Sequence, residues 1–260
     1  METEELVVAK SEEDRDCVDS TGGENETQPP AEQPGKNAPA GLSPISPSLS
    51  EYLRAKLPGT IATKYKNGQV IYGGELPVNA LYLILEGRVK ISRLAGTRQR
   101  VVVDIYRESE IFGECALLGR PEPHEQAKSL GSTSLLSWTA AELEQTILRL
   151  PELGLALLRI MAQQTVELGR RIESLSLESM EHRLARALIR FADRFGSRKS
   201  DESVVMTAFT HELLARYVGT SREVITKFMN QFRRQGYIQY SRDEILVCRQ
   251  AFRDWAPPAS

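Results

Sequence analysis

Between Thr60 and Trp138 the apolar positions come in short runs set apart by Gly, Pro and Asn. Gln69-Val70-Ile71-Tyr72 follows a turn at Asn67-Gly68, and Leu81–Leu85 runs into Glu86-Gly87 and then Val89-Lys90-Ile91. Val101-Val102-Val103 leads to Ile105, and Ser134-Leu135-Leu136-Ser137-Trp138 closes the series. Runs this short, rich in β-branched and aromatic residues, predict the strands of a small antiparallel barrel or sandwich. The period then changes. Ala140–Leu150 has the spacing of a short helix that Pro151 interrupts, because proline lacks the amide a helix interior needs. Leu158, Met161, Thr165, Leu168, Ile172 and Leu175 recur at alternating steps of three and four, which predicts an a/d stripe on a long helix. Met180–Phe195 gathers Leu184, Leu188, Phe191, Ala192 and Phe195 on one helical face and ends at Gly196, a residue suited to cap it. Polar residues 197–203 read as a loop.

The stripe has two readings: a helix packed on its own barrel, or a coiled coil between two chains. The helix runs on with no second helix to receive it, which favours pairing. The fold class is therefore α+β. An N-terminal antiparallel, jelly-roll-like barrel (49–150) is followed by a long dimerisation helix (151–178) and a compact C-terminal domain (179–256).

Composition narrows the class. The chain has 260 residues, 41% hydrophobic and 26% charged, ordinary for a soluble globular protein and unlike collagen-like or wholly disordered chains. The longest apolar runs, Ala80–Leu85 and Leu153–Leu158, fall far short of the roughly 20 residues that span a bilayer. The start, METEELVVAK, has no basic end followed by an apolar stretch and so does not read as a secretory leader. Cys17, Cys115 and Cys248 are far apart with no CxxC spacing, which argues against a disulfide framework and makes a reducing cytoplasm the expected compartment. Charge is uneven: residues 1–48 hold 11 acidic and 3 basic side chains, the remainder 24 and 30. The first segment also holds six prolines and no aromatic residue, so it reads as a disordered acidic tail that would repel nucleic acid or compete with it for a basic surface.

Residues 210–229 carry the most chemistry. Thr210 can cap one helix, Ala215 is small enough for a second helix to cross closely, and Gly219 can take the left-handed turn between them. Thr220 and Glu223 read as a capping box opening the second helix. Ile225, Phe228 and Phe232 form its inner face, and Ser221, Arg222, Glu223, Thr226 and Lys227 its outer one. In a helix-turn-helix the first turns of the second helix meet base edges in the major groove. There arginine can donate twice to guanine and glutamate can accept from cytosine, while Lys227 adds phosphate attraction. A helical hairpin with a solvated face would explain Glu223 alone, but not the joint placement. Residues 180–260 hold 14 basic and 9 acidic side chains, in keeping with a nucleic-acid contact. Tyr237–Tyr240 and Glu244–Cys248 flank the polar turn Ser241-Arg242-Asp243, which reads as a β-hairpin wing.

Taken together, residues 50–250 resemble the Crp/Fnr family of bacterial transcription regulators. The matching stretches are Leu81–Ile91, Ile111-Phe112-Gly113-Glu114 and, most specifically, Val218-Gly-Thr-Ser-Arg-Glu-Val. The resemblance implies a cyclic-nucleotide-binding-type barrel, a dimerising helix and a winged helix-turn-helix on double-stranded DNA, with RNA polymerase as a further partner. It puts Arg222, Glu223 and Lys227 at base-reading positions, Thr210 and His211 near backbone phosphate, and Thr220, Ser221 and Thr226 beside them. The expected function is a sequence-specific transcription regulator, a homodimer on a pseudo-palindromic site, with an effector altering the pose of the reading helices through a hinge near Leu175–Met180.

The resemblance also sets up a test of the effector. Gly113-Glu114 match the start of the family's phosphate-binding cassette, and Cys115 adjoins them as a further effector-pocket candidate. The Arg-Ser pair of cAMP-binding members aligns here with Glu125-Gln126, and their base-facing hydroxyl residues align with Leu168-Gly169. A carboxylate facing a phosphodiester repels it, so the cAMP pocket reads as degenerate. An iron–sulfur cluster needs four thiolates and the chain has three cysteines. Haem stays open, with His124, His182 and His211 as the available axial ligands. Cys115 could be a redox-sensitive thiol or a buried inert one. A cyclic-nucleotide signalling module without DNA contact is the alternative; it requires a competent pocket and a decorative C-terminus. An enzyme is disfavoured, since no nucleophile elbow, Walker loop or Gly-x-Gly-x-x-Gly appears.

Overall fold

The computed structural model describes residues 62–96, 99–119, 124–199, 203–241 and 243–252. The acidic segment 1–48, Cys17, the expected start at Leu49, and Arg242 of the hairpin turn lie outside the described residues.

Eight strands build the first part: β1 (Thr63–Tyr65), β2 (Val70–Tyr72), β3 (Ala80–Glu86), β4 (Arg88–Ala95), β5 (Gln99–Arg107), β6 (Ile111–Phe112), β7 (Glu125–Ser129) and β8 (Thr133–Thr139). They pair antiparallel in two sheets, ordered β1-β8-β3-β6 and β2-β7-β4-β5. Between the sheets lie Tyr72, Tyr82, Ile84, Val89, Ile91 and Phe112, which is the alternate set of each strand, as the two-residue period requires. Strand β3 is buried on both faces. Tyr82 and Ile84 point into the barrel, while Leu81 and Leu83 lie under helices, and this accounts for its unbroken apolar run. Strands β1, β6 and β7 were not anticipated. The first and third carry too few apolar residues to show alternation, and β6 spans two residues.

Helix α1 (Ala140–Arg149) opens with Thr139 as cap: the amide of Glu142 donates to its hydroxyl, and its own amide donates to the Glu142 carboxylate. Helix α2 runs Pro151–Leu177, with the proline in its first turn, where the missing amide costs nothing. Its first half packs on the chain's own barrel: Leu153, Leu157 and Ile160 join Leu81, Leu83, Leu136 and Trp138. The opposite side is open, with Leu158 66% and Ile172 65% exposed. The helix thus belongs to its barrel on one face and presents an uncovered apolar stripe on the other. Two extended residues, Glu178 and Ser179, separate it from α3 (Met180–Phe195).

The C-terminal part comprises β9 (Ser197–Arg198), β10 (Ser203–Thr207), α4 (His211–Val218), α5 (Arg222–Arg234), β11 (Ile238–Tyr240) and β12 (Glu244–Cys248), with sheet order β11-β12-β10-β9. The hairpin wing forms as read. The expected loop at 197–203 contains β9 and the start of β10, paired through Val204 and Arg198. Gly196 ends α3, but in an extended rather than a left-handed conformation. A Cβ there would lie 2.1 Å from a methyl of Val204 and 2.6 Å from the Ala192 carbonyl oxygen, so glycine is required by close approach and not by torsion.

This C-terminal part is seated on the outer face of β5. Val102 and Ile105 share one core with Leu188, Phe191, Leu214, Tyr217 and Val218. Arg194 donates to Asp104 at 2.9 Å and to Glu110 at 2.6 Å, and Arg190 joins Asp104 to Glu167 of α2. Arg171, one turn further along α2, donates to the carbonyls of Val102, Val103 and Tyr217 and lies 4.2 Å from the Tyr217 ring centroid. Replacing Gly196 with alanine forces Val204 or the end of α3 to move. The expected loss is about 1–3 kcal/mol, read as a lower denaturant midpoint with an unchanged slope.

Candidate functional site

The amphipathic pattern of α4 and α5 folds into a helix-turn-helix for local reasons. Thr210 caps α4 by accepting from the Leu213 amide. Gly219 takes φ 82°, a left-handed conformation that only glycine adopts at little cost. The amides of Gly219 and Thr220 both donate to the Ala215 carbonyl oxygen. That commitment of Thr220 corrects the expected capping box. Thr220 closes α4, so the cap of α5 falls to Ser221, whose hydroxyl accepts from the Val224 amide. Glu223 instead accepts from its own amide and the Ser221 hydroxyl, which hold its carboxyl below the usual carboxylate range. Ala215 is buried where the helices cross. Ile225, Met229 and Phe232 form the buried face of α5, while Phe228 is half-buried. The inward step after Ile225 is thus four residues, not three.

The opposite face stands clear. Ser221, Arg222, Glu223 and Lys227 are exposed, with the Lys227 ammonium 5.7 Å from the Phe228 ring centroid. Thr220 and Thr226 are half-buried. Thr210 is exposed. His211 is drawn inward: one ring nitrogen lies 2.9 Å from the Thr226 hydroxyl and the other 3.3 Å from that of Tyr240. Burial, and then the Arg222 charge, lower its pKa. Tyr240, on β11, was not singled out from the sequence, because its link to His211 spans 29 residues and leaves no local pattern.

In the barrel, Gly113 has φ 88° and its missing Cβ would strike the Ala80 carbonyl and the Tyr82 ring. A 3-10 turn follows, Glu114–Leu118. Glu114 is half-buried and Cys115 buried. Glu125 sits on β7 rather than in a loop, directly opposite Arg93 of β4. It is 4% exposed; the Tyr72 hydroxyl donates to it at 2.9 Å and the Arg93 Nε at 3.1 Å. Gln126 beside it is half-buried, and Leu168 is exposed on α2. Neither Tyr72 nor Arg93 carries a local sequence signature for this role, since both partnerships cross strands. Of the candidate haem ligands, His182 lies 2.8 Å from the Ser179 hydroxyl, and His124 is exposed in a turn.

Comparison with known proteins fits this arrangement. Residues 62–149 match the model of the cyclic nucleotide-binding domain, and residues 182–251 that of the Crp-like helix-turn-helix domain. A CRP-like cAMP-activated global transcriptional regulator of Mycobacterium tuberculosis is 26% identical over 183 residues, 70% of this chain and 82% of that protein. The global nitrogen regulator of a Nostoc species is 26% identical over 192 residues, 73% of this chain and 86% of that protein. A solved CRP/FNR-family transcriptional regulator from Thermus thermophilus is similar with a TM-score of 0.61 and 25% identity, over 77% of this chain and all of that one.

The chain belongs to the Crp/Fnr family.

It is a Crp/Fnr-type transcription regulator with a DNA-binding helix-turn-helix and a cyclic-nucleotide-binding-type domain. Its relatives are transcriptional regulators, not enzymes. Among the described residues no helix is long and apolar enough to cross a membrane. Within this Crp/Fnr barrel, burial raises the pKa of Glu114; its own amide and that of Gly113 oppose the shift, and Glu125 adds to it. The folded state therefore holds the Glu114 proton more tightly than the unfolded chain does. The stability this gives is complete below the ordinary carboxylate range and is lost as pH rises through the folded value. Glu114→Gln cannot ionise, so its melting temperature should exceed that of the unsubstituted protein at pH 7. The gap should shrink toward pH 4, as followed by thermal unfolding across that range.

Proposed function

We propose that this Crp/Fnr protein acts as a homodimer that reads a pseudo-palindromic DNA site and passes the recognised position on to RNA polymerase. The observation that carries the reading is the outward face of α5. Ser221, Arg222, Glu223 and Lys227 stand exposed on a helix whose other side is anchored by Ile225, Met229 and Phe232. All four are accessible to base edges and phosphates; the Ser221 hydroxyl also caps α5 and Glu223 accepts from it. Arg222, Glu223 and Lys227 are the base readers in this proposal. Thr220, Ser221 and Thr226 flank them, and Thr210 meets the phosphate backbone. His211 contributes mainly by holding Thr226 and the wing.

Pairing follows from α2. Leu158, Thr165, Leu168, Ile172 and Leu175 form an exposed stripe, with Met161 turned partly onto the barrel. A second copy of α2 would cover that stripe, and a two-fold dimer places its recognition helices in major grooves about 34 Å apart. We take residues 49–150 as sensor, 151–178 as dimerisation helix and 179–256 as DNA-binding domain, working in the cytoplasm. A cyclic phosphodiester is a poor occupant for this sensor. It would meet the carboxylates of half-buried Glu114 and buried Glu125, and the Arg93 cation nearby is already paired.

Arg222→Ala should reduce discrimination at one base pair of the site by about 1–3 kcal/mol, measured by competition binding with single-base variants. A uniform loss across all sequences would mean that Arg222 touches phosphate alone. Leu168→Glu should convert the dimer to monomers in sedimentation velocity and weaken binding to a full site far more than to a half-site. An unchanged dimer would place the interface elsewhere.

A further inference from the structure

The seam between barrel and DNA-binding domain has two electrostatically different halves. In one half acids and bases match: Asp104, Glu110 and Glu167 hold Arg190 and Arg194. In the other half a cavity of about 410 Å³ opens between the outer face of β4 and α4. Its walls include Arg88 and Lys90 from β4 and Arg216 from α4, with Phe209 and Leu213 as an apolar side. Among the described residues its one acid, Glu212, is committed to Arg216 at 2.7 Å.

Further cations crowd this space. Lys128 of β7 lies directly opposite Lys90 of β4, a placement that destabilises a sheet when the charges are alike. Neither lysine side chain has a hydrogen bond or an ion pair among the described residues. Arg100 keeps a buried guanidinium nitrogen without any partner among the described residues. The Arg88 guanidinium lies over the rings of Phe195 and Phe209, at 5.9 and 5.4 Å from their centroids, and has no carboxylate partner among the described residues. Burial lowers the proton affinity of Lys90, and the charges of Arg216, Lys128 and Arg100 lower it further. Unpaired like charges held at the wall of a cavity are costly to the empty protein. A ligand carrying two or more negative charges would relieve that cost.

We propose that this cavity is a binding site for a phosphorylated small molecule, its phosphate held by Lys90, Arg88 and Arg216 and its apolar or planar part laid against Phe209 and Leu213. The site is separate from the barrel interior, where the carboxylates of Glu114 and Glu125 would repel an anion. Because its walls come from both the barrel and α4, an occupant strengthens the docked pose of the DNA-binding domain. By differential binding alone, it shifts the population toward that pose.

The test uses the full chain and inorganic pyrophosphate at constant ionic strength. Calorimetry should show saturable binding, weakened about tenfold or more in Lys90→Gln by the loss of one charge-assisted hydrogen bond and unchanged in Arg222→Ala. With no pyrophosphate present, Lys90→Gln should melt at a higher temperature than the unsubstituted protein, because it removes a like charge. A merely structural lysine would instead lower the melting point. The proposal is overturned by an absence of saturable heat at millimolar pyrophosphate, by equal affinity in Lys90→Gln, by loss of binding in Arg222→Ala, or by a lowered melting point of unliganded Lys90→Gln. None of these outcomes bears on base discrimination by Arg222, so the two readings fail independently.

Discussion

Arg171 brings a positive charge into the one place where the barrel, the long helix and the DNA-binding domain meet. Carrying an unpartnered cation out of water costs several kcal/mol, yet this guanidinium stays charged, as arginine does in proteins. Its donors are taken up by the carbonyls of Val102 and Val103 on β5 and of Tyr217 in the last turn of α4. The last of these lies at the negative end of the helix, where a cation is favoured. The Tyr217 ring covers one guanidinium face. Through this single side chain the C-terminus of α4 is fixed to β5, and with it the orientation of α5. The Asp104–Arg194 network then sets the rotation of α3 on the same strand, and the apolar contacts of Val102 and Ile105 fill in between.

The barrel shows what happens when a fold is kept and the charge inside it is changed. Gly113 is retained because Ala80 and Tyr82 leave no room for a Cβ, a steric demand independent of any ligand. Glu125 has a place in the same interior only because Tyr72 and Arg93 satisfy its carboxylate. A site matched to an anion and a site lined by glutamates can therefore share one backbone. Similarity to a cyclic nucleotide-binding domain speaks to the fold, and the side chains decide what enters it.

Much of this was legible in the chain. The bounds of α3 fall where the apolar face begins and ends, because one strong 3.6-residue period governs it without interruption. Pro151 and Gly219 mark their turns because their backbone chemistry admits few alternatives. The misreadings are equally physical. Strand β7 reads Glu-Gln-Ala-Lys-Ser and carries no alternation strong enough to identify it. The Thr-x-x-Glu spacing points to Thr220 as the opening of a helix, whereas its amide closes the preceding one. Gly196 at a helix end suggests a torsional cap, but its reason lies in Val204 on β10. The pairing of Glu125 with Tyr72 joins residues 53 apart, and the cavity beside Lys90 exists only once α4 has docked. Local pattern reports elements well; the charges that meet across elements appear only in three dimensions.

His211 ties the two helices of the reader to the wing, through Thr226 on α5 and Tyr240 on β11. These parts consequently behave as one stiff piece. The side chains on the outward surface of α5 take no part in that tie, apart from Thr226, and Arg222, Glu223 and Lys227 could be exchanged with little penalty to folding. If those side chains read DNA as proposed, presentation and preference are inherited separately: descendants of this chain can acquire new target vocabularies by surface substitution while the scaffold that displays them stays intact.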